Sequence, residues 1–247
     1  CAENLAIEEL RARGDALADG LEHAFYDGAA HHQTVDFKNI DDHITAIKEH
    51  IPQFYWLLFF DGIMRAYTAL NGRNTQDVLD WSAKVQSLSG AKTLVNGIRI
   101  GIQQGFGDDM PEAIRIASNF PEVMHPMLFE ELGWRVGDET DLTVSTWKTH
   151  TSTMPGQAEC SFAEGMTRGR ILFLMAENIS WWPHVSVFRT EIPKHCQSHI
   201  DSGIAEAILI SVGDRAEVRT AEAHRLPRGD IRDGVVRLMN QRLASVP

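Results

Sequence analysis

The chain has 247 residues, with 34 acids against 23 bases and a formal net charge of −11. That length supports a full core without metal or disulfide staples, and the acidic balance excludes nucleic acid and anionic membrane, which need a basic footprint. The longest wholly apolar run, Phe54 to Phe60, is seven residues, against the ~20 that a membrane-spanning helix needs.

The chain opens on Cys1, followed by Ala2-Glu3-Asn4-Leu5-Ala6-Ile7-Glu8-Glu9-Leu10. This stretch has helical composition and spacing, so Cys1 is expected at the surface near a helix start. Lipoprotein anchoring through Cys1 is the minor alternative. The three cysteines, Cys1, Cys160 and Cys196, are odd in number and irregularly spaced. They do not spell a disulfide framework and point to a reducing, cytoplasmic setting.

From Phe25 onward the chain repeats itself. Three leading glycines, Gly28, Gly97 and Gly165, stand 69 and 68 residues apart. Each is followed after 24, 24 and 28 residues by an apolar-proline step: Ile51-Pro52, Phe120-Pro121 and Ile192-Pro193. A further glycine follows each proline by 10, 12 and 10 residues: Gly62, Gly133 and Gly203. Proline tolerates the first turn of a helix and pushes its predecessor out of helical geometry, so each step predicts a helix start. The glycines then fall inside helices, at about 1 kcal/mol each against alanine. Gly97 and Gly101, Gly133 and Gly137, and Gly165 and Gly169 lie four apart and share one helix face. Close approach of a second backbone is the first explanation for such pairs.

Between these helices the chain is punctuated at 72–75, 105–109 and 151–156 by loop-forming residues. Thr75 and Asp109 are expected as helix caps, the latter ahead of Pro111. Val78, Trp81, Val85 and Leu88 recur at helical spacing, whereas Leu142 to Trp147 alternates like a strand. From residue 214 the chain carries seven arginines against five acids, the pattern of a solvated helix face. The expected fold is therefore mostly α. Three tandem helical repeats of ~70 residues, at about 20–90, 91–158 and 159–213, form one solenoid-like or closed array. A helical extension, 214–247, completes a single all-α domain over 1–247.

Gly97-Ile98-Arg99-Ile100-Gly101, Asp109-Met110-Pro111, Asn119-Phe120-Pro121, Glu131-Leu132-Gly133-Trp134 and Gly165-Met166-Thr167-Arg168-Gly169-Arg170 carry a family likeness. In spacing rather than identity they resemble an uncharacterised glycine-rich bacterial family encoded beside enediyne polyketide synthase genes. The resemblance covers about residues 20–213. It implies a role in secondary metabolism, acting on or holding a hydrophobic, polyene-like intermediate, and brings no catalytic residues with it.

Acidic or amide residues recur beside the repeat glycines: Asp27, Asp61, Asn96 and Glu164 directly before one, Glu131 and Asp201 two before. In a curved array such positions converge, and clustered carboxylates raise one another's pKa and suit acid–base work. Facing water beside a packed glycine is their simpler role. Asp61, Glu164 and His184 are the candidate catalytic residues. Tyr55, Trp56, Trp181 and Trp182 are the candidate walls of a hydrophobic ligand site, with Arg99 and Arg168 as polar handles. His50, His125 and His195 fall close to repeat prolines. His195 and His199 share a helix face and are weak metal candidates, since the glutamate of the His-Glu-x-x-His motif is absent. No nucleophile elbow, phosphate loop or Cys-x-x-Cys pair is present, so no cofactor is expected.

The function expected from the sequence is binding of a hydrophobic, polyketide-like small molecule, with cofactor-independent cyclisation, isomerisation or hydrolysis as candidate reactions. A protein-interaction scaffold without catalysis, or a homo-oligomer built on the same array, is the alternative. A metal-dependent enzyme using the histidine pair is the second alternative.

Overall fold

The computed structural model describes residues 45, 48–49, 56–89, 94–156, 158–212, 215–227 and 229–244. Gly28, the Ile51-Pro52 step, Tyr55, Cys1 and His50 lie outside them. The chain divides into two compact units, Cys1–Asp108 and Asp109–Pro247, a division that falls inside the second expected repeat. The first unit holds α1 (Trp56–Asn71), α2 (Thr75–Ser89) and α3 (Val95–Phe106). The second holds α4 (Met110–Ser118), α5 (His125–Glu139), α6 (Val144–Thr151) and α7 (Ala158–Ala176). It continues with α8 (Trp182–Glu191), α9 (Gln197–Val212), α10 (Ala216–Ala223) and α11 (Asp230–Ala244). The described residues form no strand, and no helix among them is long and apolar enough to cross a membrane.

Helix starts follow local chemistry. Asp109 caps α4 by accepting the Glu112 N–H at 3.3 Å, with Pro111 in the first turn. Pro121 and Pro193 adopt nearly identical backbones, φ −55°, ψ 140° and φ −54°, ψ 140°. Each opens a 3-10 turn, Glu122–Met124 or Lys194–Cys196, whose first bond runs back to the proline carbonyl at 2.8 and 2.9 Å. These turns run straight into α5 and α9, so the proline steps start helices as expected.

Two local expectations are corrected. Leu142 to Trp147 is not a strand: Thr143 accepts the Thr146 N–H at 3.1 Å and caps α6. The threonine cap overrides the β-branched composition that suggested extension. At α2 the cap is Asn74, one residue before Thr75, with its Oδ1 accepting the Asp77 N–H at 3.4 Å. Along α2, Val78 and Val85 are buried, and Trp81 stacks on Tyr67 with ring centroids 4.7 Å apart.

The helical glycines mark where backbones touch. In the first unit Gly97, Gly101 and Gly105 of α3 face Asp61, Arg65 and Ala69 of α1. Steps of four match in the same chain direction, so α1 and α3 run parallel. In the second unit Gly133 and Gly137 of α5 meet Phe162 and Met166 of α7, while Gly165 and Gly169 meet Glu130 and Trp134. The glycines are thus contributed from both sides of a second parallel pair. Parallel neighbours require the chain to travel back between them, and the segments holding α2 and α6 do so. A Cβ on Gly165 would collide with the Glu130 carbonyl oxygen, and one on Gly203 would sit 2.5 Å from that of Glu164. Around these contacts Phe129, Phe162, Trp181, Phe188, Ile200, Ile204 and Ile208 are fully buried.

One covalent tie was not legible in the cysteine count. Cys160 at the start of α7 and Cys196 in the turn before α9 form a disulfide, with their Cα atoms 4.8 Å apart. The framework rule looks for even counts and regular spacing, whereas this pair is brought together by the packing of α7 against α9.

Two alanine substitutions should move stability in opposite directions. Gly165→Ala inserts a methyl against a backbone that cannot rotate away, and should cost about 2 kcal/mol despite alanine's ~1 kcal/mol helix advantage. Gly234→Ala on α11, where a Cβ would meet nothing within 4 Å, should gain up to ~1 kcal/mol. Urea unfolding of both variants checks this, and equal effects would disprove the close-contact account.

Candidate acid–base site

Four helices of the second unit converge on one partly buried group of charges. Because α5 and α7 touch through Gly165, and α7 and α9 through Gly203, the acids beside those contacts are pressed together. Glu130 of α5, Glu164 of α7 and Glu206 of α9 bring carboxylate oxygens within 4.8 Å of one another. Arg168, one turn beyond Glu164 on α7, is 3 % exposed. Its Nη1 donates to Glu130 and, at 2.9 Å, to Glu206, while Nη2 lies 3.9 Å from Glu131. The guanidinium also lies 4.6 Å from the centre of the Trp134 ring. Its Nε and Nη2 are buried without a hydrogen-bond partner.

A second layer comes from α9 and α11. Arg242 reaches Glu206 at 3.0 Å, Glu164 at 3.3 Å and the Ser202 hydroxyl at 2.8 Å. Ser202 donates its own hydrogen bond to Glu164, and His199 Nδ1 lies 2.8 Å from the other Glu164 oxygen. Arg242 corrects the expectation that residues after 214 only present a solvated face, because its side chain completes the network. No signal in the local sequence marks it apart from the six other arginines of that tail.

The three carboxylates are not equivalent. Burial pushes the Glu130 carboxyl up to about 7; Arg168 pulls it down, while Glu206 and Glu164 push it further up. Burial also raises Glu206, but Arg168 and Arg242 outweigh it and hold this carboxyl below the usual range. Burial thus drives Glu130 up while the arginines hold Glu206 down, and the two carboxyls titrate as a coupled pair. His199 is raised above its ordinary value by its bond to Glu164, against the lowering effect of burial. Such an arrangement can give and take protons at neutral pH. The two arginines occupy the place that a cation bound by these carboxylates would take.

Of the residues singled out from sequence, Glu131, Glu164, Arg168 and His199 meet here. The others do not join them. Asp61 is buried in the first unit, where it accepts from Gly97 N–H at 3.3 Å and from the Asn96 amide at 3.4 Å. Arg99 donates to Asn96 at 2.8 Å on its own helix. Trp181 is fully buried and its indole N–H donates to Glu222 of α10 at 3.3 Å. Trp182 packs edge-on against it, and His184 is exposed near the start of α8. Trp56 opens α1. His125 is buried with Nε2 2.8 Å from the Phe120 carbonyl oxygen, a local tie across the proline turn. His195 and His199 turn to different carboxylates, Glu159 and Glu164, so this pair does not converge on one ion.

Glu130 and Glu206 were missed because neither adjoins a repeat glycine in sequence. Glu130 lies three residues before Gly133 and Glu206 three after Gly203, the i±3 neighbours that share the glycine's face. No family model, curated protein or solved structure matches the chain.

The protonation pattern sets a pH dependence of stability. Glu130 carries more protons folded than unfolded between 4.5 and about 7, so stability falls as pH rises through that window. His199, raised above 6.5, adds a loss of the same sign at higher pH. Thermal unfolding of the wild type should show Tm falling across this range. Glu130→Gln should flatten the lower part and leave the His199 part; an unchanged slope would disprove the assignment to Glu130.

Proposed function

We propose that the chain is a cofactor-independent enzyme of proton transfer, acting on a hydrophobic small molecule at the Glu130–Arg168–Glu206 cluster. The observation that carries this reading is geometric: the carboxylates of Glu130, Glu164 and Glu206 gather within 4.8 Å of one another around the buried Arg168 guanidinium, whose Nε and Nη2 make no hydrogen bond. Glu130 serves as the general acid–base group. Arg168 and Arg242 offset negative charge developing on substrate, as preorganised donors do. Glu164 positions His199 and anchors Arg242. The candidate reactions are isomerisation, cyclisation or hydrolysis, and the polyketide-like substrate class rests on the family resemblance alone. The same reading takes the glycine helices as parts of a three-fold array of ~70-residue units and the protein as cytoplasmic.

A protein-interaction scaffold is the second reading. It draws on the same network, because ion pairs linking α5, α7, α9 and α11 also rigidify an array that presents its surface to a partner or a second copy.

A polyene carboxylic acid serves as the probe. Binding near Arg168 should quench Trp134 fluorescence and raise Tm with ligand concentration. In heavy water the wild type should exchange the acidic C–H protons of the probe, and Glu130→Gln should slow that exchange by about 10²–10⁴-fold. Absence of quenching, of a Tm change and of exchange would overturn the enzyme reading and leave the scaffold.

A further inference from the structure

A second cluster lies at the amino end of α7, and the acid–base reading does not use it. Glu159 and Cys160 occupy the first turn of that helix, and His195 and Cys196 occupy the 3-10 turn before α9. The two sulfurs, a histidine nitrogen and a carboxylate oxygen all lie within 4.8 Å of one another. His195 Nε2 is 3.0 Å from Glu159 Oε1, and these two side chains face water, 60 % and 31 % exposed. The cysteines behind them are buried. Trp147 of α6 holds the turn in place, its indole N–H donating to the Glu159 carbonyl at 3.1 Å.

We propose that this quartet is a redox-gated zinc site, closed as the Cys160–Cys196 disulfide and able to bind Zn²⁺ once that bond is reduced. Two thiolates, an imidazole and a carboxylate are a four-ligand set of the kind tetrahedral zinc takes. Soft sulfur donors select zinc over magnesium or calcium. Burial of the sulfurs behind an exposed histidine–glutamate pair gives the ion an inner wall and an entry side. Glu159 completes the set either as the fourth ligand or by orienting His195, the usual partnership of a metal-bound imidazole with a carboxylate.

The chemistry balances with a dithiol reductant. It supplies two electrons and two protons, cleaves the S–S bond to two thiols, and becomes a disulfide itself. Zinc binding then displaces both thiol protons to solvent. The site also has leverage. Glu164 lies four residues after Cys160 on α7, and His199 four after His195 on the way into α9, so both segments run directly into the acid–base cluster.

The experiment uses full-length protein in a Cys1→Ser background, without a histidine tag. The oxidised and the anaerobically reduced forms are dialysed against Zn²⁺, or against Co²⁺ as a spectroscopic substitute. The reduced form should retain one equivalent of zinc, and its cobalt form should show thiolate-to-metal charge transfer and tetrahedral visible bands. The oxidised form should show neither. Cys160→Ser should abolish the charge-transfer band. His195→Ala, at an exposed position where folding is safe, should weaken zinc binding at least 10-fold, and Glu159→Gln by about 10–100-fold. Reduced protein that holds no more zinc than Cys160→Ser, or a His195→Ala variant with unaltered affinity, would overturn the proposal. Either result would leave the disulfide as a structural tie only.

Discussion

Backbone contact between helices at glycine is the constraint from which the rest follows. Side chains ordinarily keep helix axes 8–10 Å apart. Where α5 meets α7 at Gly133, Gly137, Gly165 and Gly169, no side chain intervenes, and carbonyl oxygens of one helix rest on the Cα surface of the other. Residues flanking such a contact have nowhere to go but alongside it. Glu130 contributes the carbonyl that meets Gly165, Glu164 the one that meets Gly203, and their carboxylates are carried into the same small volume. The charge cluster is thus a by-product of glycine packing that the sequence has filled with compensating groups.

That compensation has a definite order. Burying carboxylates without partners costs several kcal/mol per ion, and replacing such a network with apolar residues is often neutral or better for stability. Here Arg168 is shared between Glu130 and Glu206, and Arg242 between Glu164 and Glu206. Two guanidinium groups serve three carboxylates, and the shortfall falls on Glu130, which burial and its acidic neighbours push upward. The upward push on the Glu130 carboxyl therefore follows from the charge balance of the cluster, and it brings a titrating group toward neutral pH.

Much of the fold was legible because its landmarks act locally. A proline that fixes φ and lacks an N–H suits the first turn of a helix, and Pro121 and Pro193 open their turns with nearly the same backbone angles. Paired glycines announce a close contact without naming the partner, and every described pair has one. What escaped the sequence depends on which elements meet. Cys160 finds Cys196 only through the α7–α9 contact, Arg242 reaches Glu164 across 78 residues of chain, and Trp181 is claimed by Glu222 on α10. At Leu142 to Trp147 the failure was different: residue composition favoured a strand, and one threonine side chain bonded to a backbone N–H decided otherwise.

The parallel pairing of glycine helices bears on how the protein reaches this structure. An ordinary antiparallel helical hairpin is stitched by contacts between chain neighbours, which gives helical proteins low contact order and fast folding. Here the ties within each unit span 36 residues from Asp61 to Gly97, 38 from Glu130 to Arg168, and 36 across the Cys160–Cys196 bridge. Loop-closure entropy must be met before any of these contacts returns free energy. The chain has the secondary structure of a helical bundle but a connectivity closer to that of a βαβ unit, and its folding rate is set by the second property rather than the first.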